Sequence, residues 1–183
     1  VSKDSVDAVM KIANFFENHG HSVTLLQKDP VDGIALQKGF YIISAVETAL
    51  MFQNIERQIG RQVTRDDMEL MTWGIYQSGQ QILATDYRVA LAKWDTYAHA
   101  MEKVHEEFDL ILTPTVSDVA PLQTQFPMEE SVRQALNQIE ELSVPEQQSV
   151  IWRMFDRTLA LTPFTQLSNI TGAPAISLPG YLR

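Results

Sequence analysis

The chain of 183 residues contains no cysteine. That excludes disulfides, thiolate nucleophiles and cysteine-ligated metals. Long apolar runs are missing too. None approaches the roughly 20 residues that a membrane-spanning helix needs. The opening "VSKDSVDAV" has no uninterrupted apolar stretch of the kind that marks a secretory leader. Positive charge is scarce: 14 Lys and Arg against 23 Asp and Glu leave a formal net charge of -9. A nucleic-acid or anionic-membrane surface needs a basic patch, and neither partner is expected here. The densest basic cluster, Arg57, Arg61 and Arg65, is interleaved with glutamines. The eight glycines never fall as G-x-G, so a dinucleotide fingerprint and a phosphate loop are both absent. No serine sits in G-x-S-x-G, and none has a lysine three residues later. The four histidines, His19, His21, His99 and His105, form no H-E-x-x-H. Acid pairs such as Asp66-Asp67 and Glu106-Glu107 point about 100° apart on a helix and read as solvated faces. The residues therefore supply no catalytic set, no metal set and no cofactor motif. The lack of cysteine suits a cytoplasmic setting.

What is present is a globular composition, 45% apolar. The length fits one domain. Val6, Val9, Met10, Ala13 and Phe16 recur at helical spacing, with Asp4 or Ser5 as cap and Gly20 as a left-handed stop. "HSVTLLQ" follows as a short β-prone run. A mostly helical middle carries one stripe through Tyr41, Ala45, Thr48, Phe52, Ile55 and Ile59, and another through Trp94, Ala98, Met101, His105 and Phe108. Thr64 is a good helix N-cap. "DLILTPT" breaks the helical period and reads as a buried strand from about Asp109 to Thr113. Two helices are predicted near Glu129 to Leu142 and Pro145 to Leu161, with Ser143 capping the second. "AISL" reads as a last strand. The expected fold class is α/β: part of a mixed β-sheet flanked by helices, predominantly helical by residue count.

Two loops stand out, "LTPTVSDVAPL" leaving one expected strand and "TQLSNITGAPAISLP" entering another. Loops at strand ends gather ligand contacts in α/β proteins. Thr113, Thr115, Ser117, Gln166, Ser168, Asn169 and Thr171 offer hydroxyls and amides there. The competing explanation is local: such side chains cap turns and satisfy backbone groups released from helices. For Thr115 the two explanations are evenly matched.

"FDLILTPTVSDVAPL", followed some forty residues on by "FTQLSNITGAPAISLP", resembles the C-terminal half of amidase signature family enzymes. There a "YD-LLTPT" strand precedes a "F----N-TG-PA-S-P" segment. "LMTWGIYQSGQQILATDY" leans toward the branch that includes 6-aminohexanoate cyclic dimer hydrolases. The resemblance implies hydrolysis of an amide carbon–nitrogen bond by a Ser–cis-Ser–Lys triad, with no cofactor. No member of that triad is matched here, so the catalytic residues in this chain are none. By motif position the resemblance implies substrate-binding roles for Thr113, Thr115, Asn169 and Thr171, with Pro114 and Gly172 beside them.

Family members are more than twice this long. Residues 1–183 are therefore expected to be the C-terminal region of an amidase-like domain truncated at both ends. This part would complete the sheet and wall the substrate channel, and it would be inactive alone. Its expected partners are a small-molecule amide and the remaining N-terminal part of the amidase. The "GYLR" ending departs from the family pattern. Two rival readings stand beside this one. The parent could be the A subunit of a glutamyl-tRNA amidotransferase, releasing ammonia from glutamine. Or the chain could be a non-catalytic α/β binding module, in which case an exposed sheet edge would favour a homodimer.

Overall fold

A computed structural model describes residues 1–179. The "GYLR" ending lies outside the described residues. Among the described residues seven α-helices follow in order: α1 Lys3–Asn18, α2 Gly33–Ile59, α3 Leu70–Gln81, α4 Ala84–His105, α5 Glu130–Asn137, α6 Val144–Leu159 and α7 Thr165–Thr171. Short 3-10 turns occur at Arg65–Asp67 and Ile139–Glu141. Among the described residues there is no β-strand.

The α/β expectation is thus overturned, and the fold is all-helical. The three segments read as strands, 21–27, 109–113 and 175–178, carry no regular structure. A helix closes its hydrogen bonds within its own segment. A strand closes them only on a neighbouring strand. Apolar and β-prone composition could not supply that neighbour. The expected burial fails as well: Leu25 is 76% exposed and Leu110 78%.

Helix starts are set by local caps. At α1 the Ser2 hydroxyl accepts from the Ser5 amide at 3.3 Å, so the cap falls just before the expected Asp4 or Ser5. The Asp32 carboxylate accepts from the amides of Ile34 and Ala35, at 3.1 and 3.0 Å, and opens α2. Thr64 does cap, but only the 3-10 turn: its amide and hydroxyl both donate to Asp67. Ser143 caps by donating its amide and hydroxyl to Glu146 at 2.8 and 2.5 Å. Gly20 stands at φ 88 just after α1, the left-handed conformation expected of it.

The chain divides into two compact units. One comprises Gln37–Lys93 and Phe126–Arg157; it is the packed unit. Val132, Leu136, Ile139 and Ile151 are essentially fully buried there, with Ala49, Val63, Trp73, Tyr76 and Val150 around them. Of the predicted stripe on α2, Ala45 is fully buried, and Tyr41, Phe52 and Ile55 pack against other side chains of the unit. Ile59, at the end of the stripe, remains 48% exposed. Tyr41 stacks on Phe155 with ring centroids 4.4 Å apart. A Cβ placed on Gly79 of α3 would lie 1.9 Å from the Ala45 carbonyl oxygen of α2, so only glycine allows this approach. Of the polar groups inside, Gln148 donates to the buried Ser78 at 2.7 Å, and Gln147 donates to the carbonyls of Ile139 and Leu142 while its own Oε1 is buried without a partner.

The other unit comprises Val1–Leu36, Trp94–Gln125 and the described residues from Thr158 onward; it is the loop-rich unit. Ser117 ties it together. Its amide donates to Leu161 O at 2.7 Å, its hydroxyl donates to Ala160 O at 2.5 Å, and its carbonyl accepts from Ser2 N at 2.6 Å. Of the stripe on α1 only Ala13 is buried, while Val6 and Met10 stay about half exposed.

Candidate functional site

Both loops singled out from the sequence lie in the loop-rich unit, and they meet at one hydrogen bond. Thr115 Oγ1 and Ser177 Oγ are 3.0 Å apart, and either oxygen can donate. This bond joins the "TPT" turn to the segment that follows α7. The sequence pointed to Thr115 but not to Ser177, which lay inside the expected "AISL" strand. Thr113 is exposed and Pro114 half-buried.

Asn169 and Thr171 are placed differently. Asn169 Nδ2 donates to Thr165 O at 2.9 Å, and Thr171 Oγ1 donates to Leu167 O at 2.9 Å. Both are bonds from a side chain back to the carbonyl four residues earlier on α7. Thr165 and Ser168 make similar bonds three residues back, at 3.3 and 3.4 Å. The side chains of Thr165, Ser168, Asn169 and Thr171 are therefore engaged locally, whereas the Oε1 of Gln166 on the same helix is buried without a partner. Gly172 ends the helix at φ 72, where its amide returns to Ser168 O.

Thr171 and Ala173 also border an open hollow of about 480 Å³ along the last three turns of α4. Ala98 and the buried Met101 supply apolar surface to it, and Asp95, His99, Glu102 and His105 the polar surface. His99 Nδ1 lies 3.2 Å from Glu102 Oε2. His105 Nδ1 lies 3.0 Å from Phe108 O, which suits a proton on that nitrogen. The sequence set these histidines apart because six residues separate them; the hollow is wide enough to take both. In the same unit Tyr97 is pushed above the ordinary tyrosine range by burial and by the Asp32 carboxylate. Among the described residues no three His, Asp or Glu side chains converge as a metal site. No described helix is long and apolar enough to cross a membrane.

The arrangement can hold polar groups by hydroxyl and amide contacts, and the hydrogen bonds of Thr115, Thr165, Ser168 and Thr171 run to a hydroxyl or to backbone carbonyls, not to a histidine or a lysine. Comparison shows what the chain resembles. A lipoamidase of Enterococcus faecalis is 29% identical over 182 residues, covering 100% of this chain and 25% of that protein. The chain resembles amidases along its whole length. A 6-aminohexanoate-cyclic-dimer hydrolase of Pseudomonas sp. (strain NK87) is 25% identical over 164 residues, 87% of this chain and 30% of that protein. Its counterpart in Paenarthrobacter ureafaciens matches to the same extent. The matched part is the C-terminal part of these proteins. The chain thus spans less than a third of the length of these amidase relatives. No family model matches it, and no solved structure does.

Proposed function

We propose that this chain is the C-terminal region of an amidase whose nucleophilic serine lies outside it, and that it walls the substrate channel. The reaction adds water across an amide carbon–nitrogen bond and yields a carboxylic acid and an amine. The observation that carries this reading is the similarity to a lipoamidase over 100% of this chain. An amide is a poor electrophile. Its hydrolysis needs an activated nucleophile and donors for the developing oxyanion. The sequence holds no Gly/Ser-rich nucleophile segment to provide them. The role left to this chain is to position the substrate.

Thr113, Thr115, Asn169 and Thr171 are the proposed contacts. The exposed side chains of Thr113, Thr115 and Asn169 and the half-buried Thr171 suit an amide, which presents one donor and one acceptor. The Thr115–Ser177 pair is the best placed of these, because each oxygen keeps a lone pair for a further bond. Asn169 would offer its Oδ1, since its Nδ2 is engaged on α7.

The test is an assay of lipoamide and 6-aminohexanoate cyclic dimer hydrolysis by the chain alone and by the longer protein that contains it. The longer protein is expected to release amine and to be inactivated by a serine-directed reagent. The chain alone is expected to be inactive. Hydrolysis by the chain alone, insensitive to that reagent, would overturn the proposal.

A further inference from the structure

The polar groups lining the hollow along the last three turns of α4 are hydrogen-bond acceptors. Asp95 and Glu102 bring carboxylates. The Nδ1 of His99 faces Glu102 Oε2 at 3.2 Å, and the Nδ1 of His105 faces Phe108 O at 3.0 Å. In each neutral ring the proton therefore sits on Nδ1, and Nε2 is left to accept. Thr171 donates its hydroxyl proton to Leu167 O and has only lone pairs to offer a further group. Among the described residues no lysine or arginine lines the hollow. Ala98 and the buried Met101 add apolar surface. The volume of about 480 Å³ lies in the range of small-molecule sites.

Acceptors without donors, beside apolar surface, suit a ligand that brings donors and positive charge on an apolar body. We infer that this hollow binds the primary ammonium group of an alkyl amine, with the alkyl chain against Ala98 and Met101. An ammonium fits better than a guanidinium. His99 already faces one oxygen of Glu102, so that carboxylate is not free to take a planar two-pronged fork. An ammonium binds as a point charge with three separately directed donors. The net charge of -9 raises the concentration of such cations near the chain. The inference stands on the hollow and not on the amidase reading. On that reading, the amine that hydrolysis releases belongs to the same chemical class.

The test is titration of the chain with hexylammonium chloride, read by proton NMR of the imidazole C–H signals. The pH is held at about 8, where an alkyl amine, like a lysine side chain, carries its charge. The signals of His99 and His105, assigned with His99→Gln and His105→Gln, are expected to shift saturably. Those of His19 and His21, which lie just beyond α1, should stay in place. Hexanoate should shift none of the four. Hexylammonium should bind about tenfold or more tighter than methylammonium, since about two buried methylenes account for that factor. Asp95→Asn combined with Glu102→Gln should weaken binding about fivefold, the effect of two exposed ion pairs. Glu106→Gln combined with Glu107→Gln, the same change in charge outside the hollow's lining, should leave it unchanged. Far-ultraviolet circular dichroism equal to that of the parent chain establishes that the variants fold. Equal shifts of all four histidines, shifts that do not saturate, equal binding of hexanoate or methylammonium, or equal loss from the two pairs of substitutions would each overturn the inference. Binding as expected by a chain whose longer parent hydrolyses no amide would instead count against the amidase reading and leave the ammonium site standing.

Discussion

The packed unit and the loop-rich unit divide one chain's apolar residues very differently. In the first, Leu136, Ile139, Ile151 and Val132 retain at most 1% exposure. In the second, the least exposed apolar side chain is Leu36 at 2%, and Leu25, Leu110, Leu122 and Ile176 exceed 70%. Composition does not explain this. The packed unit is built from helices whose own hydrogen bonds are complete, so each has only to lay one stripe against another. The loop-rich unit contains three apolar segments whose backbone would be completed only by neighbours. The difference shows that hydrophobicity by itself does not bury a segment; a partner surface must exist.

Four measurements would break or sharpen this contrast. The largest effect belongs to Leu136→Ala. That side chain is fully buried, and its truncation is expected to destabilise the chain by about 3–5 kcal/mol, read as a lower urea midpoint. Next comes Gly79→Ala. The added methyl meets the Ala45 carbonyl, backbone that cannot swing away. A loss of about 1–3 kcal/mol is expected for such overpacking; an unchanged midpoint would mean that α2 and α3 are not held so closely. Ser117→Ala probes the loop-rich unit and removes the bond to Ala160 O. About 1 kcal/mol is expected, with faster amide exchange at Ser117 and Ser2. Smallest is Leu110→Asp on the isolated chain, which should move the midpoint by less than about 0.5 kcal/mol because the side chain is already in water. A large loss there would show that the side chain is buried in solution and would erase the contrast.

Ionisation distinguishes the units less sharply. Burial pushes the Tyr41 hydroxyl up from 10.0 to about 12. A raised folded value means that the folded state keeps its proton where the unfolded state has lost it. The stability contributed is complete below pH 10 and declines as pH rises toward 12 and beyond. At the acid end, the Arg61 guanidinium and the Thr64 amide hold the Asp67 carboxyl well below its usual range. That contribution is present above the ordinary carboxylate range and is lost as pH falls through the folded value. The Arg61–Asp67 pair is exposed, so its effect is small and screened by salt.

Much of the helical architecture was legible in the sequence. The stripe on α2, the N-terminal proline of α6, the serine at its cap and the left-handed glycines are local signals, and each acts within a few residues of where it is read. The candidate site was legible only in part. "TPT" and "N-TG-PA" marked two loops that the structure brings together, but nothing in them revealed that Thr115 would meet Ser177 across 62 positions. That Asn169 and Thr171 turn back onto α7 is the local explanation which the sequence already offered for them.

The sequence by itself determined which segments are helical and about where they begin, the absence of thiol chemistry, the acidic balance and the resemblance to amidases. Tertiary structure alone decided which stripes are buried and whether the β-prone segments pair. It also brought the two loops to one hydrogen bond. The reason is range: a cap or a 3.6-residue period is satisfied by neighbours along the chain, whereas burial and strand pairing are satisfied only by surfaces that sequence position does not specify.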